Sequence, residues 1–255
     1  MDIQKDIYDK QYLSGYRERV DGYEFARWKA LEHLIGKILK LSDSKKVLDY
    51  GCGSGLHVGL WKKAFPHADL CFCDISSVAL EKLTNKYPEF KERCAEMKGT
   101  KAQFGSDLFD VILSIEVMEH VENLDNYLSD VHSLLKPGGF FIWTTPCANR
   151  FSIEYVYSAI TNQIEKTRDG YIKWKWEDPK HLRRLKSSEI RFKLQNIGFV
   201  NTGFRFRSHL FSFVCTKLFR GPLRELGKRM ILLDYSLFRK LPNGASMIGF
   251  TEKSK

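Results

Sequence analysis

Short apolar runs and amphipathic helical patterns alternate along the first 145 residues of the chain. Four apolar runs have the length and composition of strands that are buried on both faces of a sheet: 47–50, 69–73, 109–114 and 140–145. Apolar residues spaced three and four apart predict helices over four further stretches: 23–41, 56–65, 77–87 and 124–135. Because strand and helix alternate, the pattern predicts an α/β fold with a doubly wound, mostly parallel sheet.

The alternation lapses twice in the second half of the chain. Three elements are predicted beyond Pro146: a helix over 187–197 and strands over 199–206 and 245–251. We interpret the intervening stretches, 147–186 and 207–243, as two insertions in one domain rather than as separate domains. Residues 88–106 show no clear period, so the pattern predicts no element there.

The composition is that of a globular protein. Hydrophobic residues make up 43% and charged residues 28% of the chain, and no window approaches the roughly 18 consecutive apolar residues of a membrane-spanning helix. The first residues carry acids and no apolar core, so no secretory signal is predicted. Among the six cysteines only Cys71 and Cys73 lie close together, which favours reduced thiols in a cytoplasmic protein over disulfides or a zinc site.

The most specific motif is a glycine-rich turn after the first predicted strand. Gly51, Gly53 and Gly55 lie between that strand and a predicted helix, where glycine allows a sharp turn and the close approach of a ligand. The N-terminus of the helix offers unpaired N–H groups to a carboxylate or phosphate. Leu56 stands where a dinucleotide-binding motif has its third glycine, which disfavours NAD. Asp74 ends the second predicted strand, where an acid can accept ribose hydroxyls.

Four segments in this order resemble the motifs of class I S-adenosylmethionine-dependent methyltransferases. They are residues 47–55, Asp74, 109–112 with 116–121, and 134–139. The resemblance covers residues 25–145 and includes the ubiquinone-pathway O-methyltransferase type of methyltransferase domain. It implies a seven-stranded Rossmann-like sheet with an antiparallel last strand, and S-adenosyl-L-methionine as the cofactor.

The resemblance also implies that residues 1–255 form one methyltransferase domain with parts of different roles. These parts are an N-terminal helical cap (1–43), a cofactor-binding core (44–146), a substrate-cap insertion (147–186), a core helix and strand (187–206), a basic amphipathic insertion (207–243), and a last strand with a tail (244–255).

Nine residues would bind the cofactor if the resemblance extends to single positions. They are Asp49, Gly51, Cys52, Gly53, Gly55, Asp74, Ile75, Ser114 and Ile115. The first five would hold the methionine end, Asp74 the ribose and Ile75 the adenine, and the last two would line the sulfonium. Many relatives carry an acid after the third strand that binds the adenine amino group. Residues 97–101 contain no acid, so that contact stays open.

Two carboxylates and a histidine follow the fourth predicted strand, at the edge where open α/β sheets place ligands. If 116–121 forms a helical turn, Glu116, Glu119 and His120 share one face. The run resembles the metal-binding element of small-RNA 2′-O-methyltransferases and ubiquinone-pathway O-methyltransferases, in which a later histidine completes the site. His181 is the candidate here. Three interpretations stay open: a divalent metal held by these four residues, His120 or His181 as a general base beside Glu119, or a scaffold for the substrate floor.

The two insertions bear on the acceptor and on partners. Aromatic residues in 147–186 could enclose an apolar or sugar-like acceptor, or could equally pack the insertion onto the sheet. Nine basic residues and two acidic ones lie between 201 and 242, so +7 of the net charge of +10 is concentrated there among apolar residues. We expect a basic amphipathic segment over 207–241 at an anionic membrane surface, with a solvated helix face as the alternative. Nucleic acid is not favoured, because no binding motif is present.

These features predict a methyltransferase that acts on a small-molecule or lipid-linked acceptor. The acid–histidine cluster favours a hydroxyl oxygen, whose proton needs a base or a metal. The alternatives are a non-catalytic module that binds the cofactor or docks on a membrane, and an NAD-dependent oxidoreductase, which Leu56 disfavours. The expected location is the cytoplasm, with peripheral contact at the inner face of the membrane.

Overall fold

Helices and strands alternate along the residues that the computed structural model describes, which are 3–15, 22–210, 215 and 223–255. The helices are α1 (Ile3–Leu13), α2 (Gly22–His33), α3 (Val58–Ala64), α4 (Ser77–Lys86), α5 (Leu124–Leu134), α6 (Ile153–Ile160), α7 (Ser187–Ile197) and α8 (Arg224–Phe238). The strands are β1 (Lys46–Tyr50), β2 (Asp69–Asp74), β3 (Cys94–Glu96), β4 (Phe109–Ile115), β5 (Leu135–Pro146), β6 (Ile164–Lys166), β7 (Ile172–Trp174), β8 (Phe199–Arg207) and β9 (Ser246–Lys253).

Seven of these strands form one sheet in the order β3-β2-β1-β4-β5-β9-β8. The strands from β3 to β5 are parallel, and Leu48 of β1 pairs with Cys71 on one side and Ile112 on the other. The last strand, β9, runs antiparallel between β5 and β8. The structure therefore confirms the predicted doubly wound, mostly parallel seven-stranded sheet with an antiparallel last strand.

Both faces of the sheet are covered by helices, because alternate side chains of each buried strand point to opposite sides. Leu48 packs in a cluster with residues of α5 and α7, whereas Val47 packs with residues of α2, α3 and α4 on the other face. Trp61 and Trp143 are fully buried, one in each cluster. The two layers hold the carboxyl ends of the strands in a fixed arrangement.

Local chemistry explains where several elements begin and end. Ser76 caps α4 through its hydroxyl, which accepts a hydrogen bond from the backbone N–H of Ala79. Residues 136–139 lie within β5 as a bulge, because Leu135 pairs with Phe109 before the regular register begins. The predicted helix over 23–41 is α2 followed by a π-helical turn, Leu34–Ile38.

The two predicted insertions have different contents. The first contains α6 and the two-stranded hairpin of β6 and β7, outside the main sheet. The second contains α8, which packs against α2. Residues 211–214 and 216–222 of the second insertion lie outside the described residues, so the prediction of a continuous basic amphipathic segment is untested there. None of the described helices is long and apolar enough to cross a membrane.

Candidate active site

An open cleft lies where the chain order of the sheet reverses, between β1 and β4. The space between its walls, including the part that is open to solvent, is about 680 Å³. Six of the residues named from the sequence contribute to its walls: Gly51, Asp74, Ile75, Ile115, Glu116 and His120. The structure thus brings together residues from the glycine turn, the end of β2 and the end of β4.

The glycine turn follows directly after β1. Gly51 and Gly53 have positive φ angles of 77° and 54°, which favour glycine. The backbone N–H groups of Gly51 and Cys52 donate to the carbonyl of Cys73 at 2.8 and 3.0 Å, which ties the turn to β2. A Cβ atom at Gly51 would overlap the side chain of Val117, so the cleft keeps its shape only with glycine there.

Asp74 lies in the cleft wall at the end of β2. Its two carboxylate oxygens accept hydrogen bonds from the backbone N–H groups of Gly53 at 2.8 Å and Ser76 at 2.9 Å. Burial raises the pKa of Asp74 to about 6, although these two hydrogen bonds oppose the rise. Each oxygen keeps a further lone pair, so the side chain can also accept two hydroxyl donors.

Asp49 lies near the end of β1, beneath the glycine turn. One carboxylate oxygen accepts a hydrogen bond from the indole N–H of Trp61 at 2.7 Å. The other, Oδ1, is buried and has no hydrogen-bond partner among the described residues. Burial raises the pKa of Asp49 to about 6. A ligand that donates hydrogen bonds or carries positive charge would compensate this acceptor.

Two of the predicted cofactor residues face the protein interior. The hydroxyl of Ser114 donates to the carbonyl of Tyr50 at 3.0 Å and accepts from the hydroxyl of Tyr127 at 2.8 Å. Ser114 is therefore not part of the cleft wall, and Ile115 is the residue of this pair that lines it. Cys52 packs in the apolar cluster with α3, and burial raises the pKa of its thiol well above the ordinary value.

Glu119, His120 and His181 converge beside the cleft. One potential ligand atom from each of the three lies within 4.8 Å of the others. Glu119 is fully buried; one oxygen accepts a hydrogen bond from Thr145 at 3.0 Å, and the other has no hydrogen-bond partner among the described residues. Burial, reinforced by the neighbouring Glu116 carboxylate, raises the pKa of Glu119 to about 7.

The substrate-cap insertion supplies the partners that orient both imidazole rings. The Nδ1 atom of His120 lies 3.1 Å from the carbonyl of Lys180, which can only accept, so Nδ1 carries a hydrogen. Nδ1 of His181 lies 3.2 Å from the carboxylate of Glu177. Burial alone would lower the pKa of His181, but the hydrogen bond to Glu177 and the charge of Glu119 raise it above its ordinary value.

Glu116 does not share a face with the other two residues of its run, contrary to the prediction. Residues 116–121 form a turn rather than a helical turn, and Glu116 has a positive φ of 56°. Its carboxylate accepts a hydrogen bond from the hydroxyl of Thr144 at 2.8 Å and pairs with the guanidinium of Arg27 at 3.1 Å. The backbone reversal thus directs Glu116 toward α2, and the group of potential metal ligands among the described residues omits it.

Residues from the first two helices were not predicted as parts of the site. Gln4, Tyr8 and Tyr12 line the cleft from α1, and their spacing of four places them on one helix face. The spacing of four is the one feature of the sequence that could have indicated their shared role in the cleft. Arg27 of α2 is buried behind Glu116 and also pairs with Glu24 at 2.7 Å. Its position within an apolar helical pattern gave no indication of an ionic role.

The residues fit a sulfonium cofactor with an amino-acid tail and a ribose. Gly51 lies in the wall of the cleft, and Asp74 can accept two sugar hydroxyls. The unpartnered oxygen of Asp49 suits a nearby positive charge. Met97, Gly99 and Thr100 line the cleft after β3 without an acid, so the adenine amino group would have no carboxylate partner from this loop.

The fold and this cleft define a class I S-adenosylmethionine-dependent methyltransferase. A family model described as a methyltransferase domain matches residues 19–202, and the chain belongs to that family.

Individual relatives differ in how much of the chain they match. A ubiquinone biosynthesis O-methyltransferase of Rickettsia canadensis (strain McKiel) is 29% identical over 178 residues, which span 66% of this chain and 69% of that protein. A sterol 24-C-methyltransferase of Debaryomyces hansenii is 30% identical over 122 residues, which span 43% of this chain and only 30% of that protein. The solved Haemonchus contortus phosphoethanolamine N-methyltransferase 2, in complex with S-adenosyl-L-methionine, has a TM-score of 0.60 at 15% identity. That match covers 98% of this chain and 57% of the other, and it shows the shared fold.

Proposed function

We propose that the protein transfers a methyl group from S-adenosylmethionine to a hydroxyl oxygen of a small-molecule or lipid-linked acceptor. The observation that carries the proposal is the group of Glu119, His120 and His181, with His120 in the wall of the cleft. A hydroxyl keeps its proton near neutral pH, so its methylation benefits from a base in contact with it. The name of the Rickettsia relative, an O-methyltransferase, is consistent with this acceptor chemistry.

The chain's own residues would hold the cofactor at three points. The turn of Gly51 to Gly55, with Asp49 beneath it, would bind the methionine end, Asp74 the ribose hydroxyls and Ile75 the adenine ring. Bound there, S-adenosylmethionine would supply a methyl group on a positively charged sulfur. The sulfur is the leaving group, and it needs no proton. The protein therefore has to align the acceptor and exclude water, and proximity supplies much of the rate enhancement.

His120 is the residue that we assign to the acceptor proton. Because Nδ1 donates to the carbonyl of Lys180, Nε2 is the acceptor in the neutral ring. As the new oxygen–carbon bond forms and the carbon–sulfur bond breaks, the hydroxyl proton would pass to this nitrogen. Glu119 lies 4.0 Å from Nε2 and would stabilise the resulting imidazolium. His181, with its ring centroid 4.8 Å from that of His120, completes the polar wall.

The same three residues favour a second proposal, a divalent metal. One carboxylate oxygen and two imidazole nitrogens are a donor set that suits zinc, iron or manganese, and the unpartnered oxygen of Glu119 would gain a ligand. A metal there would lower the pKa of the acceptor hydroxyl. Glu116 would not contribute in this arrangement, because Arg27 binds its carboxylate.

Replacing His120 with alanine tests the proton-handling role. We expect turnover to fall by about 10²- to 10⁴-fold while the affinity for S-adenosylmethionine, measured by calorimetry, stays within about threefold of wild type. His67→Ala is the matched control, because His67 is exposed and distant from the cleft lining. Full turnover by the His120 variant would reject the assignment.

Metal analysis separates the two proposals. The purified protein is analysed by mass spectrometry for bound metal before and after chelation and dialysis, in parallel with turnover. Stoichiometric metal that is lost from the Glu119→Ala variant would support the metal site. Turnover that is unchanged in protein without metal would reject the metal and leave the base.

The acceptor itself is identified from the product. Incubating the protein with isotope-labelled cofactor and fractionated lysate, lipids included, places the label on one compound that mass spectrometry can fragment. A labelled methyl ether supports the proposed chemistry, whereas a methyl ester, a methylated amine or a methylated carbon would overturn it.

A further inference from the structure

We propose that the outer face of α8 docks the protein on a bilayer surface rich in anionic lipid. The outer face is defined here by four residues of the helix, Leu226, Arg229, Leu233 and Leu237, together with Lys240, which lies two residues beyond the end of the helix. Leu226, Leu233 and Leu237 are 47%, 50% and 61% exposed. Their spacing of seven and four places them in one row along the helix.

The opposite face of α8 accounts for its packing in the fold. Ile231 and Tyr235 are buried there against α2 and the sheet. Asp234 is fully buried and accepts hydrogen bonds from the backbone N–H groups of His209 and Leu210, at 3.1 and 2.8 Å. The helix is therefore anchored through its inner face, and the leucines of the outer face are not needed to hold it.

The apolar row continues beyond both ends of the outer face. Leu223 precedes it and is 50% exposed, and Leu241 follows it and is 48% exposed. Within the helix, the row from Leu226 to Leu237 spans roughly 16 Å at 1.5 Å per residue. Scattered exposed leucines are ordinary on protein surfaces, but a row of three on one helix with a further exposed leucine on either side of that helix is typical of an interaction surface.

Charge identifies the partner. Residues 224–240 contain five basic and two acidic side chains, and one of the acids, Asp234, is buried. Arg229 and Lys240 are exposed among the leucines. A surface that combines apolar side chains with cations matches the interface of an anionic bilayer, where leucines enter the acyl boundary and cations meet headgroups.

Two other partners fit this surface less well. Nucleic acid would pair with the cations but leave the leucine row in water. A second copy of the chain would bring two positively charged faces together, which costs electrostatic free energy. The inference does not depend on which acceptor the enzyme methylates.

Vesicle sedimentation of the full chain tests the inference. Vesicles of phosphatidylcholine alone are compared with vesicles that contain phosphatidylglycerol, at low and high salt. We expect binding to the anionic vesicles that weakens with salt, and little binding to the neutral ones. Leu233→Gln with Leu237→Gln, and separately Arg229→Glu with Lys240→Glu, should each reduce the bound fraction by about tenfold or more.

Matched controls lie elsewhere on the surface. Phe192→Gln removes an exposed apolar side chain of α7, and Lys91→Glu with Lys166→Glu reverses two exposed cations. These variants should bind vesicles as wild type does. Equal sedimentation with neutral and anionic vesicles would overturn the proposal. So would a concentration-dependent dimer in analytical ultracentrifugation that the leucine variant abolishes, because the surface would then join two copies of the chain.

Cofactor affinity keeps this test independent of the proposed enzymatic function. The α8 variants should bind S-adenosylmethionine as wild type does, since α8 does not line the cleft. Loss of cofactor affinity together with loss of vesicle binding would indicate unfolding. The vesicle binding of the less disruptive single variants Leu233→Gln and Lys240→Glu would then decide whether this face binds the bilayer.

Discussion

At the scale of single residues, burial sets the charge state of the carboxylates around the cleft. It raises the pKa of both Asp49 and Asp74 to about 6, and that of Glu119 to about 7. Burial therefore disfavours the ionised forms of these groups in the ligand-free protein. A ligand that brings positive charge or hydrogen-bond donors favours the ionised forms, and strongly perturbed carboxylates in a cleft are typical of functional sites.

Replacing Asp49 with asparagine is expected to stabilise the ligand-free protein above neutral pH. The pKa of Asp49 is raised from 3.8 to about 6 in the folded state, so ionising it costs folding free energy as the pH rises through this range, up to about 3 kcal/mol. The asparagine can still accept the hydrogen bond from Trp61. Urea unfolding should show that the variant is more stable than wild type at about pH 8. The difference between their free energies of unfolding should disappear at about pH 4. A difference in free energy of unfolding that is the same at both pH values would contradict this explanation.

A site residue could be predicted from the sequence where its place at the end of a strand determines where its side chain lies. Asp74 and Ile115 end strands of a parallel sheet and Ile75 directly follows one, so their place at the cleft follows from the fold. Glu116 was not predictable in the same way. Its direction depends on a left-handed backbone conformation and on Arg27, a residue 89 positions earlier in the chain.

At the scale of elements, α1 forms a cleft wall that the sheet does not provide. The rings of Tyr8 and His120 are packed edge to face, with their centroids 6.0 Å apart. The side-chain amide of Gln4 donates a hydrogen bond to the backbone carbonyl of His120 at 2.9 Å. Asp9 contacts the hydroxyl of Ser76 at 2.5 Å and so joins α1 to the N-terminus of α4. One helix therefore contacts both the predicted cofactor side and the predicted catalytic side of the cleft.

Truncating Tyr8 should weaken cofactor binding. We expect Tyr8→Ala to raise the dissociation constant for S-adenosylmethionine by about tenfold, because the cleft loses an aromatic wall that excludes water. Leu13→Ala on the same helix is the control, since Leu13 is 71% exposed and does not line the cleft. Equal affinity of the two variants in calorimetry would show that α1 is not part of the cofactor site.

The antiparallel strand β9 depends on a glycine opposite a tryptophan. Gly249 pairs with Trp143 of β5, and a Cβ atom at Gly249 would lie 2.0 Å from the indole ring. We expect Gly249→Ala to lower the free energy of unfolding by about 2–4 kcal/mol, because the fully buried ring cannot move aside. Gly59→Ala in α3 meets no atom within 4 Å and should be neutral or stabilising by up to about 1 kcal/mol. If urea unfolding ranks the two variants the other way round, the packing of β9 is misdescribed.

Elements were predictable from the sequence in proportion to their length and burial. The strands β1, β2, β4 and β5 contain apolar runs, and the predicted bounds agree within one residue, except that β5 begins at Leu135, five residues before the predicted start. The strand β3 has only three residues and none of them is buried, so it leaves no periodic signal. In α1, charged and aromatic residues alternate without an apolar stripe, and its role comes from tertiary contacts with β-strand ends.

At the scale of the whole molecule, the chemistry and the charge lie in different parts of the chain. The cleft is formed by residues before position 122, apart from the cap residues around His181, whereas most of the net positive charge lies beyond position 200. The alternation of strands and helices was sufficient to predict a doubly wound, mostly parallel sheet, whereas the seven strands and the antiparallel last strand were implied by the family resemblance. It could not predict how the insertions pack, because their contacts join residues far apart in sequence, such as the buried Arg184 with Glu154 at 2.9 Å and the backbone of Ala245.

The central claim is that S-adenosylmethionine binds across the carboxyl edge of the sheet with its ribose on Asp74. Calorimetric titration of S-adenosylmethionine and of NAD into wild type and Asp74→Ala tests it most directly, with Asp43→Ala as an exposed control. We predict that wild type and the control bind S-adenosylmethionine and not NAD. The Asp74 variant should bind it about a hundredfold or more weakly, through loss of two charge-assisted hydrogen bonds. Binding of NAD instead, or undiminished binding of S-adenosylmethionine by a folded Asp74→Ala variant, would contradict the account.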